Sequence, residues 1–323
     1  MATRFEIALH GGNPVALRAA AEEALDEVES IEAQLSLYRP ATEIARVNAL
    51  AHREPVRVSP PVFRLLEHAR KLHRETGGVF DITIAPLMRC WGLMGETGQV
   101  PSSEELAAGR ACVGMDLVQL DPANFTVRFE RPGVMLDLGA IGKGYAVEKA
   151  ADLLRELGVT SALIHGGTST IYAIGHPPDQ EAWKVTLELP AGLARNAPDP
   201  DGSPALLAVV PLRDESLSVS AVWGKSFESG GRTYGHIFDP RTGAPTDNAL
   251  LAAVALPSAT ETDALSTALL TVGPAGQDSI TALRPGIKTF VVQRKEGRFS
   301  LAHHGIDPWP AFRAVVDGIQ NPR

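Results

Sequence analysis

The stretch from Ala140 to Gly175, AIGKGYAVEKAADLLRELGVTSALIHGGTSTIYAIG, decides the fold class, because it joins one strong helix to two short strands. Apolar residues recur through its first half at helical spacing, and Gly158 follows as a residue typical of helix ends. The second half predicts a strand, a break at Gly166-Gly167 and another strand. This combination favours an α+β protein.

The flanking sequence continues the same mixture. Four further helices are predicted: one at 13–34, a short one that begins after a cap at Thr42, one from Ser59 to the Gly77-Gly78 pair, and one at 261–272. The apolar stripe of the first consists of Val15, Ala19, Leu25, Val28 and Ile31. Strands are predicted at 5–9, 183–190, 206–211, 217–221, 233–238 and 250–256, with hairpins around 131–133 and 296–297. The polar stretch 94–109 is predicted to be a surface excursion.

Helices and strands do not alternate strictly along the chain, so a doubly wound dinucleotide fold is disfavoured. The sequence predicts an α+β fold with mixed, largely antiparallel sheets and flanking helices. We expect one domain over 1–323, with a possible surface insertion at 191–204, where Pro, Asp and Gly are frequent.

Composition and charge exclude some functions. The chain has 30 Lys and Arg against 38 Asp and Glu, a formal charge of −8, and no dense basic run, which argues against nucleic-acid binding. No run of 18 apolar residues is present, so no membrane span is expected. Cys90 and Cys112 are too few for a disulfide framework; they could pair, but two half-buried thiols are expected. The first residues lack the pattern of a secretory signal, which predicts a cytoplasmic protein, or a periplasmic one if a leader was removed.

One candidate site is the stretch from Asp137 to Ala150, DLGAIGKGYAVEKA, where three glycines precede or open a helix. Free amides and the positive end of a helix dipole favour an anion there, and Lys143 adds a cation. The spacing does not match the GxxxxGK[ST] phosphate loop. The alternative, which this stretch alone favours, is that the glycines allow close packing of helix on strand.

A second candidate is Asp263 with Thr267 in SATETDALSTALLTVG, because residues four apart lie on one helix face. A carboxylate and a hydroxyl are oxygen ligands that suit Mg²⁺. The alternative is a dipole-stabilised aspartate and a threonine bonded to its own helix. Two oxygens also leave most of an octahedral ion to other ligands.

Two further stretches carry polar groups among turn formers or apolar residues. In GGRTYGHIFDPRTGAP, residues 230–245, His236, Asp239 and Arg241 lie where a strand runs into a tight turn, which is typical of the rim of a site. Asp81 lies inside an apolar run, so it requires donors from backbone amides or from a ligand. Neither GxSxG nor a catalytic cysteine context is visible.

Seven stretches in one order resemble the FAD:protein FMN transferases, the ApbE-like family, over nearly the full length. They are MATRFEIAL, SLYRPATEIARVN, GGVFDITIAPLMRCWG, DLGAIGKGYAVEKAADLL, ALIHGGTSTIYAIG, YGHIFDPRTGAP and TDALSTALLTVG. The chain departs from the family pattern at 168–170, at 221–226 and in having Glu148 where an aspartate is more common, which indicates a divergent branch.

The resemblance implies a compact two-lobed α+β enzyme with a central cleft that binds FAD and Mg²⁺. It also implies transfer of FMN from FAD to a Thr or Ser hydroxyl of an acceptor protein, with release of AMP. Hydrolysis of FAD to FMN and AMP is the alternative activity. A flavin-binding protein without turnover is the alternative from a different class.

The resemblance also assigns residues. It implies a metal site from Asp263, Thr267 and the carbonyl of Gly142, or that of Ala140 if the match is shifted by two. It implies an adenine-side contact at Phe80 and Asp81, and flavin-nucleotide contacts at Asn48 and Glu148. His236 matches the proton-transfer residue, and Asp239 and Arg241 match its supporting turn. Beside this, the amides at 142–144 and the cation of Lys143 are expected to steady phosphate oxygens.

Overall fold

The computed structural model describes residues 3–95, 98–190, 193 and 204–318. Its α-helices are α1 Pro14–Leu35, α2 Glu43–Leu50, α3 Pro60–Glu75, α4 Ala85–Cys90, α5 Ser103–Arg110, α6 Gly142–Glu156, α7 Ala259–Val272, α8 Gln277–Thr281 and α9 Pro310–Val316. Short 3₁₀ helices span Met115–Leu117 and Pro274–Gly276. Apart from 193 and 204, the insertion predicted at 191–204 lies outside the described residues.

The strands up to residue 212 are β1 Phe5–Leu9, β2 Val56–Arg57, β3 Val118–Asp121, β4 Thr126–Phe129, β5 Ala162–Gly166, β6 Thr170–Ile174, β7 Trp183–Leu189 and β8 Ala205–Leu212. Those that follow are β9 Glu215–Ala221, β10 Ser226–Ser229, β11 Arg232–Gly235, β12 Phe238–Asp239, β13 Ala244–Pro245, β14 Leu251–Leu256, β15 Lys288–Lys295 and β16 Arg298–His304.

A seven-stranded sheet, in the order β1-β5-β6-β9-β14-β15-β16, forms the centre of the fold. Each neighbouring pair in this sheet is antiparallel. All six residues of β14 are buried, because apolar layers cover the sheet on both faces. Ala252, Val254 and Leu256 belong to one apolar cluster, while the residues between them belong to the other.

The two faces of the sheet carry different partners. The first apolar cluster combines the sheet with α1, α3, α6 and α7, and the second combines it with β7, β8 and α9. Helices therefore pack on one face, and mainly a strand pair packs on the other. This arrangement confirms the predicted α+β fold with largely antiparallel sheets.

Most predicted elements are found within a few residues of their expected bounds, including the caps at Asn13 and Thr42. Gly158 ends α6 with a φ of 80°, a conformation that glycine adopts readily. The hairpin around 296–297 is β15 and β16. Cys90 and Cys112 are free and half-buried, as expected. In the part of the chain described, no helix combines the length and apolarity needed to cross a membrane.

The predicted apolar stripe of α1 is wrong for three of its five members. Val15 is 77% exposed, Leu25 is 37% exposed, and Ala19 is also exposed. The buried residues are Ala20, Ala24, Val28, Ile31 and Leu35. Alanines face the interior in the first half of α1 because this part of the helix packs close to its neighbours. A stripe chosen by hydrophobicity alone favours larger residues and is therefore rotated away from the buried face of the helix.

The hairpin predicted around 131–133 is also wrong. β4 pairs with β3 and β2, and residues 134–138 form no strand. Val134, Leu136 and Leu138 are buried as an extended segment, whose polar backbone groups are satisfied elsewhere. The side chain of Asn48 bonds both the N–H and the C=O of Leu136, and the N–H of Asp137 donates to the carbonyl of Ile82 at 2.7 Å.

Two other predictions need detail. The described part of 94–109 lies at the surface, as predicted, and also contains most of α5, which begins with a capping box formed by Ser102 and Glu105. The single strand expected at 233–238 is split into β11 and β12, with His236 and Ile237 between them. The break releases His236 from regular strand pairing.

Ion pairs hold α7 against α3. The guanidinium of Arg284 contacts Glu261 of α7 at 2.7 Å and Glu75 of α3 at 2.6 Å, and His68 of α3 contacts Glu261 at 3.1 Å. Burial raises the pKa of Glu261, but the hydrogen bonds from His68 and Arg284 outweigh it and lower that pKa to about 2. The first turn of α7 is therefore fixed by charge as well as by apolar packing.

Candidate active site

Two helix N-termini meet at the site. Gly144, in the first turn of α6, lies against Ala259, the first residue of α7. A Cβ on Gly144 would collide with the carbonyl oxygen of Ala259 and lie 2.7 Å from the Cβ of Asp263. Close packing, here of helix on helix, therefore accounts for the glycine at 144.

Each of these helices caps the other with a carboxylate from its second turn. The N–H of Gly144 donates to Oδ2 of Asp263 at 2.9 Å. In return, Oε2 of Glu148 accepts from the hydroxyl of Ser258 at 2.7 Å and from the N–H of Thr260 at 2.9 Å. Two positive dipole ends that would repel each other are thus each compensated by a negative charge.

Asp263 is 3% exposed, and its other carboxylate oxygen faces two weaker partners. The ammonium of Lys143 lies 3.3 Å from Oδ1, and the hydroxyl of Thr170 lies 3.5 Å from it. Lys143 also donates to the carbonyl of Gly139 at 2.9 Å. A buried carboxylate requires such a counter-charge, because an unpaired charge inside a protein is costly.

A row of hydroxyls on β9 lies beneath α7. The side chain of Ser218 contacts Thr170 at 3.1 Å and Thr262 at 2.8 Å, and Ser216 also contacts Thr262. The next serine along the strand, Ser220, contacts Ser266 at 2.9 Å and Thr267 at 3.1 Å. One hydroxyl of this network, that of Thr170, also contacts the carboxylate of Asp263.

Three residues of α6 and α7 could supply oxygens to a divalent cation. Thr267 follows Asp263 by one turn of α7, as predicted, and its hydroxyl donates to the carbonyl of Asp263 at 3.3 Å. Gly142, the first residue of α6, lies in the same helical turn as Gly144. Carboxylate, hydroxyl and carbonyl oxygens are hard ligands that fit Mg²⁺. Over the described ranges, no group of three or more His, Cys, Asp or Glu side chains is placed to hold a metal.

His236 is held by a backbone carbonyl. Its Nδ1 lies 3.1 Å from the oxygen of Lys225, and because a carbonyl only accepts, Nδ1 carries the hydrogen and Nε2 is left as a base. Burial lowers the pKa of His236, and the charges of Lys143 and Lys225 lower it further against that hydrogen bond. His236 is therefore neutral at pH 7 and within electrostatic reach of Lys143.

The turn after His236 is closed by an ion pair. Oδ1 of Asp239 accepts from the N–H and Nε of Arg241, both at 2.9 Å, and Oδ2 accepts from its terminal nitrogen at 2.7 Å. Burial raises the pKa of Asp239, but these bonds lower it overall. The carbonyl of Gly243 accepts from the indole of Trp91 at 2.9 Å, which attaches the turn to the rest of the protein.

Asp81 is satisfied from within the chain. Its Oδ1 accepts from the N–H and hydroxyl of Thr83 at 2.7 and 2.6 Å, and His73 lies 3.2 Å from its Oδ2. Burial lowers the pKa of His73, but the hydrogen bond and charge of Asp81 raise it overall. The side chain of Phe80 is buried in the first apolar cluster. Asp81 thus shapes the loop at 80–83, which holds the segment leading into α6.

The structure brings some predicted site residues together and leaves others at a distance from them. Lys143 and Glu148 of α6 contact Asp263 and the first turn of α7 directly, and His236 is within electrostatic reach of Lys143. Thr267 follows Asp263 by one turn of α7, and Gly142 lies in the first turn of α6. Asn48 and the loop of Asp81 reach this point only through the extended segment 134–139, which both of them hold.

Sequence reasoning missed the hydroxyls around Asp263 and the nearby Asp137. A signal for the hydroxyls is visible in Glu215–Ala221, where serine alternates with Leu217 and Val219. From the sequence alone, this alternation predicts a strand and not a polar site. Asp137 accepts from the N–H of Gly139 at 2.7 Å, and burial raises its pKa although the charge of Lys143 opposes this.

Two surface cavities lie away from these residues. One of about 460 Å³ is lined by residues that include His10 and Trp183, and one of about 520 Å³ by residues that include Arg46 and Arg57. None of the predicted site residues lines either cavity. The candidate site therefore rests on the convergence of side chains at the two helices.

Fold and site together define a class: an α+β protein with an oxygen-rich candidate site where two helix N-termini face each other. A family model described as the ApbE family matches residues 1–291. The chain therefore belongs to the ApbE family, which confirms the resemblance found in its sequence.

Curated relatives and solved structures agree with this assignment. A FAD:protein FMN transferase of Klebsiella pneumoniae (strain 342) is 30% identical over 245 residues, covering 74% of this chain and 72% of the relative. One of Treponema pallidum (strain Nichols) is 30% identical over 302 residues, covering 90% and 82%. The crystal structure of Pseudomonas stutzeri flavinyl transferase ApbE, apo form, aligns with a TM-score of 0.78 and 28% identity over 97% of this chain and 96% of that one.

Proposed function

We propose that this protein is a FAD:protein FMN transferase that moves FMN from FAD to the hydroxyl of a threonine or serine in an acceptor protein, with release of AMP, in a magnesium-dependent reaction. The observation that carries the proposal is the buried carboxylate of Asp263, set against the N-terminus of α6 and one helical turn from Thr267. The names of the curated relatives support the flavin chemistry.

The reaction balances without a further reactant. The acceptor oxygen forms a bond to the FMN phosphorus, the pyrophosphate bond to the AMP side breaks, and AMP leaves with the bridging oxygen. The hydroxyl proton is taken up by a base, for which His236 is the candidate, because its Nε2 is free and its lowered pKa keeps it neutral at pH 7.

The remaining residues bind and orient. Asp263, Thr267 and the carbonyl of Gly142 would hold Mg²⁺, which when bound neutralises phosphate charge and stabilises the leaving group. Lys143 is suited to phosphate oxygens. The N–H groups of Gly142 and Gly144, which the sequence suggested for the same task, instead donate to the carbonyl of Leu138 at 2.7 Å and to Asp263 at 2.9 Å. The Asp239–Arg241 pair keeps the turn behind His236 in one conformation. Positioning and charge neutralisation supply most of the catalysis in such a phosphoryl-type transfer.

The test is an incubation of the purified protein with FAD, Mg²⁺ and an acceptor domain that carries a candidate Thr or Ser. We expect AMP release, flavin fluorescence that migrates with the acceptor in a denaturing gel, and an FMN mass adduct. All three should require Mg²⁺ and be lost with Asp263→Asn or with an acceptor whose hydroxyl residue is changed to Ala.

Other outcomes identify the alternatives. Steady release of FMN and AMP with no adduct on any acceptor would assign a FAD pyrophosphatase and refute the transfer. Tight retention of FAD with no AMP after long incubation would assign a flavin-binding protein.

A further inference from the structure

Lys143 makes a contact with Asp263 that the proposed reaction does not use. Its ammonium lies 3.3 Å from Oδ1 of Asp263, the oxygen of that carboxylate that α6 does not cap. The side chain of Asp263 is 4% exposed and that of Lys143 is 23% exposed, so this pair is screened poorly by solvent. Within the described ranges, no other ion pair to Asp263 is found.

The ammonium is also tethered. It donates to the carbonyl of Gly139 at 2.9 Å, so it is held by the loop before α6 as well as by the carboxylate. Because Lys143 belongs to the first turn of α6, the same helix supplies an amide to one oxygen of Asp263 and a cation to the other. The carboxylate is thereby neutralised with no ligand bound.

We propose that Lys143 is a built-in counter-ion of Asp263 that competes with the divalent cation and so sets the metal affinity of the site. A divalent cation at Asp263 and the ammonium carry like charges and depend on one carboxylate, so each weakens the binding of the other. The inference rests on the metal site of the proposed function and adds to it a second role for Lys143: without the metal, the buried carboxylate of Asp263 would still be paired.

Three variants separate this role from others. Lys143→Met removes the charge and keeps most of the chain length, while Lys143→Arg keeps the charge. Lys149→Met is the matched control, because Lys149 lies on the same helix and pairs with Asp152 at 2.8 Å, away from Asp263. Binding of Mn²⁺ alone, without FAD or acceptor, is measured by the electron paramagnetic resonance of the free ion, and Mg²⁺ is measured by competition.

We expect Lys143→Met to bind Mn²⁺ about tenfold more tightly than the unmodified protein, and Lys143→Arg and Lys149→Met to stay within about twofold of it. In EDTA, Lys143→Met should melt at a lower temperature than the unmodified protein, and Mg²⁺ should raise its melting temperature more. Equal or weaker Mn²⁺ binding by Lys143→Met would overturn the inference, as would absence of Mn²⁺ binding in every variant.

A separate variant keeps this result distinct from the proposed function. Asp263→Asn should abolish Mn²⁺ binding in the otherwise unmodified chain, which assigns the bound ion to this carboxylate. If Mn²⁺ binds as expected but no flavin is transferred, the transferase activity fails and the competition stands. If flavin is transferred but Lys143→Met leaves metal affinity unchanged, the competition fails and the activity stands.

Discussion

Glu148 offers the sharpest test of how the site is held together. Its carboxylate lies in the second turn of α6 but accepts two hydrogen bonds from the start of α7, at 2.7 and 2.9 Å. Resemblance to the family implies a flavin-nucleotide contact at this position, whereas the contacts imply that Glu148 positions the helix that carries Asp263. Glu148→Ala separates the two roles.

The expected loss of stability follows from the groups left behind. Thr260 is 2% exposed, so its N–H would lose its acceptor in a buried environment, at a cost of about 1–3 kcal/mol. Loss of a carboxylate at a helix N-terminus adds about 0.3–1 kcal/mol. The hydroxyl of Ser258 still accepts from the N–H of Glu261 at 3.2 Å, so the cap itself remains. The expected loss for Glu148→Ala is therefore about 1.3–4 kcal/mol.

The assay is urea unfolding followed by tryptophan fluorescence and circular dichroism, with FAD affinity measured separately in EDTA. Glu148→Gln, which keeps one acceptor oxygen, should lose less than half as much stability as Glu148→Ala. The control Glu156→Ala, at the exposed end of the same helix, should change stability by less than about 0.5 kcal/mol. An unchanged urea midpoint with weakened FAD binding would refute the positioning role and favour the flavin contact.

Three further predictions concern His236, Gly144 and Glu261. His236→Ala should lower FMN transfer by about 10²- to 10⁴-fold with FAD affinity unchanged. Because the pKa of His236 is lowered from 6.5, the transfer rate of the unmodified enzyme should rise with pH through a midpoint below 6.5. A midpoint above 7 would contradict the assignment of His236 as the base. Gly144→Ala should destabilise the protein by about 2 kcal/mol or more in urea, whereas Gly12→Ala, where no atom lies within 4 Å, should be neutral. The pKa of Glu261 is lowered from 4.5 to about 2, so its contribution to stability should be complete above about pH 4.5 and be lost as the pH falls toward 2; acid unfolding of Glu261→Gln that matches the unmodified protein would disprove this.

Sequence periodicity predicted the helices and strands well wherever a single face decides burial. It failed for α1, where Ala20 and Ala24 face the protein and Val15 faces solvent, because the size of the space between two helices is not written in either helix alone. It also failed after Gly133, where alternation correctly indicated a buried extended segment. The partner there is the amide of Asn48, 88 residues away, and not a neighbouring strand.

The ordered motifs predicted which helices and strands carry the candidate site, but they did not predict which of its residues contact each other. Asp263 and Thr267 lie on one face of a helix as their spacing requires. Glu148 caps α7 and Asp263 caps α6, although the two residues are more than 100 positions apart in sequence. No local sequence pattern predicts this reciprocal capping. The inward serines of β9 were missed because alternating polar residues usually indicate the solvent face of a strand.

Those serines have a consequence for how the sheet is assembled. Shifting β9 by one residue against its neighbours would turn Leu217 and Val219 toward the acid and push the hydroxyls into the second apolar layer. Such a shift is costly for two reasons. The carboxylate of Asp263 would lose its polar surroundings, and the serine hydroxyls would lie without hydrogen-bond partners in the second apolar cluster. The polar side chains of the candidate site thus also fix the register of β9 in the middle of the sheet. Replacing the serines with aliphatic residues should make the strand register less well defined and should also impair the candidate site.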